Sequence, residues 1–320
     1  MKIVFLDRTS FPDWAEFQHD HLDWTNFDFT EPKAVVERAR QADILVTNKV
    51  VLDAEILAQL PRLKLVVVTA TGTNNVDLVD CKRRGIGVAN VSGYAANTVA
   101  EHILACLFGL RRNLAAYRTS IHQQEWSSSR HFCHFAAPIS DIAGTTIGIL
   151  GQGAIGSSLA TKSRALGMRV ITIDNREKKA ADAETLQTAL PQLDHLALCC
   201  PLTPDTADLI DAKALRLLPK HAVVINTSRG GIVNEPALVS ALHKREIAGA
   251  ACDVSVTEPM PANSPLYALV EYPNFILTPH VGWSSAQAIQ ALIAGVMKNI
   301  DDYMQGNTQH FLVPPAGRKH

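Results

Sequence analysis

Short runs of apolar residues alternate with helical patterns along the first ninety residues of the chain. The apolar runs have the length of strands, and the segments between them repeat apolar positions every three or four residues, as amphipathic helices do. Strands that are apolar throughout are buried on both faces, which is typical of a parallel sheet between two layers of helices. The pattern predicts strands at 2–6, 44–47, 65–69 and 86–90, with helices at 32–40, 53–60 and 76–84 between them.

A second series of the same kind follows a long connecting segment. One helical pattern covers 98–118, and residues 122–143 then lose periodicity and collect Ser, His, Phe and Pro, as loops do. A last amphipathic pattern covers 284–305. Six further apolar runs predict strands at 146–150, 169–174, 195–199, 222–226, 248–253 and 274–277.

These patterns predict an α/β fold with two doubly wound parallel-sheet domains, both Rossmann-like. We expect the smaller domain to be flavodoxin-like and discontinuous, formed by residues 1–98 and 283–320, and the larger domain to consist of residues 99–282. A chain of 320 residues suits two domains, because a domain has about 150 residues on average.

The composition and net charge argue against a nucleic-acid-binding, membrane-binding or secreted protein. The 30 Lys and Arg residues nearly balance the 31 Asp and Glu residues, so the chain lacks the positive field that attracts nucleic acid or an anionic membrane. Only four consecutive apolar residues, 3–6, open the chain, which is far short of a signal-peptide core. The six cysteines show no C-x-x-C pairing. We therefore expect a cytoplasmic protein with neither a nucleic-acid nor a membrane partner.

A glycine-rich segment lies between the strand predicted at 146–150 and the helical pattern after it, and it reads G-x-G-x-x-G. In this context the first glycine permits a tight turn, the second lets the backbone approach a pyrophosphate, and the third lets the helix pack on the strand. The amides at the start of the helix then face the anion. The expected cofactor-binding residues of this loop are Gly151, Gln152, Gly153, Ala154, Ile155 and Gly156.

Asp174 ends the next predicted strand, where a carboxylate accepts hydrogen bonds from the ribose hydroxyls of the cofactor. The same carboxylate would repel the 2′-phosphate of NADP, so NAD is the expected cofactor. Arg176, two residues later, leaves a contact with that phosphate open. Pro201 and Thr227, which follow two further predicted strands, are also expected to border the cofactor.

Three ionisable residues follow three successive predicted strands: Arg229, Glu258 and His280. Because parallel strands present their carboxyl ends at one edge of the sheet, we expect these side chains to converge. Hydride transfer to a carbonyl carbon builds negative charge on the oxygen, so the reaction needs a proton donor and a fixed positive group. His280 and Arg229 are the expected donor and cation, and a carboxylate at Glu258 favours the charged imidazolium that reduction requires.

The sequence resembles the D-isomer-specific 2-hydroxyacid dehydrogenase family over nearly its whole length. Within the family it is similar to the glycerate dehydrogenase (hydroxypyruvate reductase) branch. The family resemblance rests on segments 97–102, 151–156, 226–235, 253–259 and 278–280, and the resemblance to the branch on 47–49, 70–77 and Trp283.

The resemblance implies a role for each candidate residue. Arg229 would bind the carboxylate and carbonyl oxygen of the substrate, His280 would be the acid and base, and Glu258 would support His280. Asp253 would lie near the amide of the nicotinamide. Backbone amides of Thr71, Gly72 and Thr73 would complete the substrate-binding pocket, which implies that 1–98 with 283–320 binds substrate and 99–282 binds NAD.

The expected activity is hydride transfer between NADH and a small 2-oxo acid, most of all from NADH to hydroxypyruvate, with glyoxylate as a second substrate. Two alternatives stay open: another D-2-hydroxyacid dehydrogenase, acting on D-lactate or a branched 2-oxo acid, and a dinucleotide-sensing binding protein of the corepressor type. The resemblance also implies a homodimer formed through segment 99–140.

Two other histidine-containing segments are expected to have no chemical role. His131, Cys133 and His134 lack the fourth ligand of a structural zinc site, so no metal is expected. For His102 we expect helix packing or a hydrogen bond between the two lobes rather than acid–base chemistry.

Overall fold

The computed structural model describes residues 1–19, 21–174 and 184–316, so Arg176 lies outside the described residues. The chain separates into two compact units, Met1–Tyr94 with Ser285–His320, and Ala95–Ser284. The changeovers lie close to the expected boundaries at 98/99 and 282/283. Each unit has its own hydrophobic cluster around its sheet.

The first unit contains a five-stranded sheet in the order β2-β1-β3-β4-β5, with every pair parallel. This is the flavodoxin-like order, in which the chain continues on opposite sides of the first strand. The strands are β1 (Lys2–Phe5), β2 (Asp23–Asn26), β3 (Ile44–Thr47), β4 (Leu65–Val68) and β5 (Gly87–Asn90).

The edge strand β2 is absent from the prediction. Its sequence, Asp-Trp-Thr-Asn, contains no apolar run, and its residues are exposed or half-buried. Strand β5 lies at the opposite edge but is mostly buried, whereas β2 is exposed or half-buried and so does not need the apolar sequence that marks the four predicted strands.

Three short helices and one long helix accompany the first sheet. Asp53 and Asp77 each accept a hydrogen bond from a backbone amide in the first turn of the helix that follows, and Ser285 does the same for the C-terminal helix. That helix packs against β4 and β5. The helices are α1 (Val35–Ala39), α2 (Ala54–Ala58), α3 (Leu78–Arg84) and the C-terminal helix Ala286–Gln305, with 3-10 turns at Arg8–Ser10 and Pro32–Ala34.

The second unit contains a six-stranded parallel sheet in the order β11-β10-β9-β8-β6-β7. The order changes direction between β6 and β8, which makes the carboxyl ends of these strands the topological switch point. The strands are β6 (Thr146–Leu150), β7 (Arg169–Ile173), β8 (His195–Leu198), β9 (Val223–Asn226), β10 (Gly249–Cys252) and β11 (Phe275–Leu277).

The helices of the second unit correct one prediction: the single helix expected at 98–118 is two helices. Asn113 separates them with φ +50°, a left-handed conformation that asparagine tolerates better than most residues. Its side-chain amide donates to the carbonyl of Pro138 at 2.5 Å. The helices are α4 (Ala96–Arg111), α5 (Leu114–His122), α6 (Ala154–Ala165), α7 (Leu186–Ala189), α8 (Ala212–Leu217) and α9 (Glu235–His243), with 3-10 turns at Leu190–Gln192 and Pro265–Leu269.

None of the helices among the described residues is both long enough and apolar enough to span a bilayer.

Candidate active site

The glycine-rich loop connects β6 to α6 at the carboxyl edge of the second sheet. Gly151 has φ +105°, and a Cβ added there would lie 2.7 Å from the carbonyl oxygen of Cys199. A Cβ on Gly156 would overlap the carbonyl oxygen of Gly151. The Cβ position of Gly153, in contrast, has no described heavy atom within 4 Å other than those of its chain neighbours. Packing therefore requires glycine at 151 and 156, whereas Gly153 leaves space for a ligand.

The loop fits the diphosphate of a dinucleotide. Helix α6 has 12 residues and begins directly after Gly153, and the first amides of a helix have no partner within the helix. Gln152, Gly153 and Ala154 are exposed, and Ile155 is half-buried. The start of the helix therefore presents backbone N–H groups where an anion is stabilised.

Other candidate cofactor residues lie after further strands of the same sheet. Asp174 follows β7 and Thr227 follows β9, and both are buried, whereas Pro201 beyond β8 is exposed. The Oγ1 of Thr227 has no hydrogen-bond partner among the described residues. Buried hydroxyls are normally satisfied, so this atom is suited to a group that a bound cofactor brings.

His280 and Glu258 are in direct contact. The Nδ1 of His280 lies 2.6 Å from Oε2 of Glu258. The other carboxylate oxygen of Glu258 accepts a hydrogen bond from the backbone N–H of Ser255 at 3.1 Å, which fixes the carboxylate. Because a carboxylate only accepts hydrogen bonds, Nδ1 carries a proton and Nε2 is the ring nitrogen left for a substrate.

Arg229 lies on the turn that follows β9, one strand away from the segment that carries Glu258. The side-chain amide of Asn226 donates to the carbonyl of Arg229 at 2.9 Å and so closes the turn. A Cβ on Gly230 would overlap the backbone at Ser255. The turns after β9 and β10 therefore touch, and only glycine allows this approach.

Asp253 is 3% exposed and contacts the turn that carries His280. Its carboxylate accepts hydrogen bonds from the backbone N–H groups of Val281 at 2.9 Å and Gly282 at 2.8 Å. The Thr278 hydroxyl donates to it at 2.5 Å. The expected contact between Asp253 and the nicotinamide amide stays a prediction.

His102 and Thr278 also belong to this arrangement. The Nε2 of His102, on α4, lies 3.1 Å from Oγ1 of Thr278, and both residues belong to the second unit. No role was predicted for Thr278 from the sequence. The available signal was its position two residues before His280, combined with a histidine in a family motif on α4.

Thr71, Gly72 and Thr73 lie in the first unit, on the loop that follows β4. The Thr71 hydroxyl donates to the carbonyl of Val91 at 3.1 Å, and the side-chain amide of Asn90 donates to the carbonyl of Thr71 at 2.7 Å. Asn90 was not predicted from the sequence. These bonds fix the loop and leave its backbone N–H groups as candidate substrate donors.

Metal binding and nucleophilic attack by a thiol are two other kinds of chemistry to consider at this site. No group of three or more His, Cys, Asp or Glu side chains suited to a metal ion occurs among the described residues. Burial raises the pKa of Cys252, next to Asp253, to about 12. Its thiol therefore stays protonated at neutral pH and is a poor nucleophile.

Comparison with known proteins identifies the class to which this fold and this site belong. The model of the family described as "D-isomer specific 2-hydroxyacid dehydrogenase, NAD binding domain" matches residues 104–282, which is more than half of the chain. The protein belongs to the D-isomer specific 2-hydroxyacid dehydrogenase family.

Two relatives and one solved structure match almost the whole chain. A putative 2-hydroxyacid dehydrogenase of Haemophilus influenzae is 41% identical over 310 residues, covering 95% of this chain and 98% of its own. The glycerate dehydrogenase of Methylorubrum extorquens is 42% identical over 311 residues, covering 97% and 98%. The crystal structure of the TT0316 protein from Thermus thermophilus is 26% identical with a TM-score of 0.85, covering 98% and 100%.

These findings confirm several predictions made from the sequence. The family, the two-domain α/β fold and NAD as cofactor are as expected, and the protein is an NAD-dependent oxidoreductase of this family. The roles of individual residues and of the two units stay proposals.

Proposed function

We propose that the protein reduces hydroxypyruvate to D-glycerate with NADH, and that glyoxylate is its second substrate. The 2.6 Å contact between His280 and Glu258 at the carboxyl edge of the sheet is the observation that carries this proposal. It supplies a proton donor held by a carboxylate, which reduction of a 2-oxo acid requires. The 42% identity to a glycerate dehydrogenase supports the choice of substrate.

The residues of this chain divide the chemistry among them. When bound, NADH supplies a hydride to C2 of the 2-oxo acid. His280 donates the proton on Nε2 to the C2 oxygen, and Glu258 keeps Nδ1 protonated and the ring oriented. The Arg229 guanidinium binds the substrate carboxylate and the C2 oxygen, because its planar fork matches a carboxylate and stays charged. Backbone amides of Thr71, Gly72 and Thr73, in the first unit, are separate proposed donors to the substrate.

NAD is preferred over NADP in this proposal. Asp174 would accept hydrogen bonds from the ribose hydroxyls of NAD, whereas a 2′-phosphate would meet its negative charge. Gly151–Gly156, Pro201, Thr227 and Asp253 make up the remaining proposed cofactor contacts, and the open space at Gly153 supports this assignment.

We propose a homodimer formed through segment 99–140. Aromatic side chains there are open to solvent, with Trp126 53%, Phe132 92% and Phe135 82% exposed. Large exposed apolar patches are rare on monomeric proteins and often mark an interface with another protein.

We also propose a cytoplasmic location. All six cysteines are free thiols, which suits a reducing cytoplasm. The near-zero net charge favours a small-molecule partner over nucleic acid or a membrane.

Initial rates of NADH and NADPH oxidation with hydroxypyruvate, glyoxylate, pyruvate and 2-oxoisocaproate test the function. We expect NADH with hydroxypyruvate to give the highest kcat/KM. A higher value with pyruvate would contradict the substrate, and a higher value with NADPH would contradict the role of Asp174. NADH binding without turnover of any of the four acids would favour a dinucleotide sensor.

Two substitutions test the proton donor. His280→Ala is expected to abolish reduction and to leave NADH affinity nearly unchanged. Glu258→Gln is expected to lower kcat about tenfold to hundredfold, since a hydrogen bond to a charged group contributes ~1.5–3 kcal/mol. Glu271→Gln, which removes an exposed carboxylate elsewhere in the unit, is the matched control. Wild-type kcat in Glu258→Gln would contradict the pairing.

A further inference from the structure

The turn that carries His280 has an unusual backbone. His280 has φ +55°, in the left-handed region that a residue with a side chain adopts only when its surroundings hold it there. Its backbone N–H donates to the carbonyl of Thr278 at 3.0 Å. The indole N–H of Trp283 donates to the carbonyl of His280 at 2.8 Å. The contacts around this turn therefore determine where the imidazole lies.

The Asp253 carboxylate forms hydrogen bonds with the backbone of the turn. Its two carboxylate oxygens accept the backbone N–H groups of Val281 and Gly282, one on each oxygen. A Cβ on Gly282 would lie 2.9 Å from Oδ2 of Asp253 and 3.0 Å from Cδ2 of His102. The carboxylate, the imidazole of His102 and the turn are thus packed without room for a methyl group.

The hydroxyl of Thr278 links Asp253 to α4. A hydroxyl has one hydrogen, and the 2.5 Å contact assigns it to Oδ1 of Asp253, which only accepts. Thr278 must then be the acceptor in its 3.1 Å contact with Nε2 of His102, so His102 carries a proton on Nε2. Donation therefore runs in one direction, from His102 to Thr278 to Asp253.

We propose that His102, Thr278 and Asp253 are positioning residues that hold the left-handed turn of His280. This inference rests on the proposed function, in which Nε2 of His280 donates the proton. Glu258 orients the ring, and the other three residues fix the backbone that carries it. His102 lies on the 16-residue helix α4, which belongs to the same unit as the turn. The hydrogen bonds through Thr278 and Asp253 connect the turn to this helix. A displacement of 1 Å in a reacting group lowers a rate by about 100-fold.

The substitution Thr278→Val tests this role, because valine keeps the shape of threonine and removes the hydroxyl. We expect kcat to fall about tenfold to hundredfold while NADH affinity, measured by fluorescence titration, stays at the wild-type value. Amide hydrogen exchange of the peptide that contains 278–284 is expected to become faster. Thr278→Ser keeps the hydroxyl and is expected to restore both values.

Two further variants complete the experiment. His102→Leu removes the donor to Thr278 and keeps an apolar side chain of similar size against Gly282 of the turn. It replaces Thr278→Val if that variant does not fold, and we expect the same fall in kcat and the same faster exchange. Ser163→Ala is the control, since it removes a buried hydroxyl that has no partner among the described residues. It is expected to change neither kcat nor the exchange of 278–284.

The outcomes separate this inference from the proposed function. Wild-type kcat and wild-type exchange in Thr278→Val would overturn the inference. A loss of NADH affinity with unchanged kcat would also overturn it and would assign the residues to the cofactor. If the wild-type protein reduces no 2-oxo acid, the proposed function fails, and the exchange measurement still decides whether these residues hold the turn.

Discussion

Glycine is expected to serve different purposes at positions 153 and 156, although both belong to one motif. The Cβ position of Gly153 is open, and its φ of −69° suits any residue. The Cβ position of Gly156 is filled by the backbone at Gly151. We expect ligand binding to require glycine at 153, whereas the packing of α6 requires glycine at 156.

Alanine at each position distinguishes these roles. We expect Gly153→Ala to keep the wild-type Tm and to weaken NADH binding at least tenfold, because the methyl group would occupy the space of the diphosphate. Gly156→Ala is expected to lower stability by about 1–3 kcal/mol, the usual cost of overpacking. Differential scanning calorimetry measures the Tm of each variant, and calorimetric titration with NADH measures its affinity for the cofactor. A lowered Tm in Gly153→Ala would show that the protein itself needs this glycine.

At the scale of an element, helix α3 shows how short helices in this fold are held. Asp77 caps its first turn, and Gly85 ends it with φ +71°. Asp80 lies between them and pairs with Arg83 and Arg84 on the last turn. Hydrogen bonds from Arg84 and then Arg83 lower the pKa of Asp80 from its ordinary 3.8.

This lowered pKa predicts a pH dependence. A carboxylate with a lower pKa in the folded state stabilises the protein above its unfolded pKa, and the contribution disappears as pH falls through the folded value. We expect Asp80→Asn to lower the Tm at pH 7 and to match the wild type once the pH is well below 3.8. The exposed Asp13→Asn is the control. A Tm difference that persists at low pH would mean that the ion pairs are not its cause.

At the scale of the whole molecule, the exposed aromatic residues of segment 99–140 predict the oligomeric state. The proposed dimer would have twice the 34.8 kDa mass of one chain. Phe132→Asp with Phe135→Asp places two charges where the interface would be dry, so we expect the double variant to be a monomer. Light scattering after gel filtration measures the mass.

Phe29→Asp is the matched control, because Phe29 is 62% exposed and lies outside this segment. We expect it to leave the mass at that of the dimer. A wild-type protein of 34.8 kDa in solution, or a double variant that stays dimeric, would contradict the proposed interface.

Most of the strands that the sequence located are buried. Strands β3 and β6 lie at the predicted residues because each is buried at every position and rich in Ile, Leu or Val. The glycine motif was found from its spacing between a strand and a helix, and the three ionisable residues after β9, β10 and β11 were found because strand ends in a parallel sheet share an edge. Strand β2 was missed because its four residues are exposed or half-buried and form no apolar run. The helix predicted at 98–118 was wrong because periodicity does not register one left-handed residue, Asn113.

The amino-acid sequence alone determined the two α/β series, the nucleotide loop and the chemical groups available for hydride transfer, since these depend on local patterns and short spacings. Only the tertiary structure decided what each polar group contacts. The bond between His102 and Thr278 joins residues 176 positions apart, and the bond between Thr278 and Asp253 joins residues 25 positions apart. Such hydrogen bonds form when strands and helices pack, and they decide the conformation of His280.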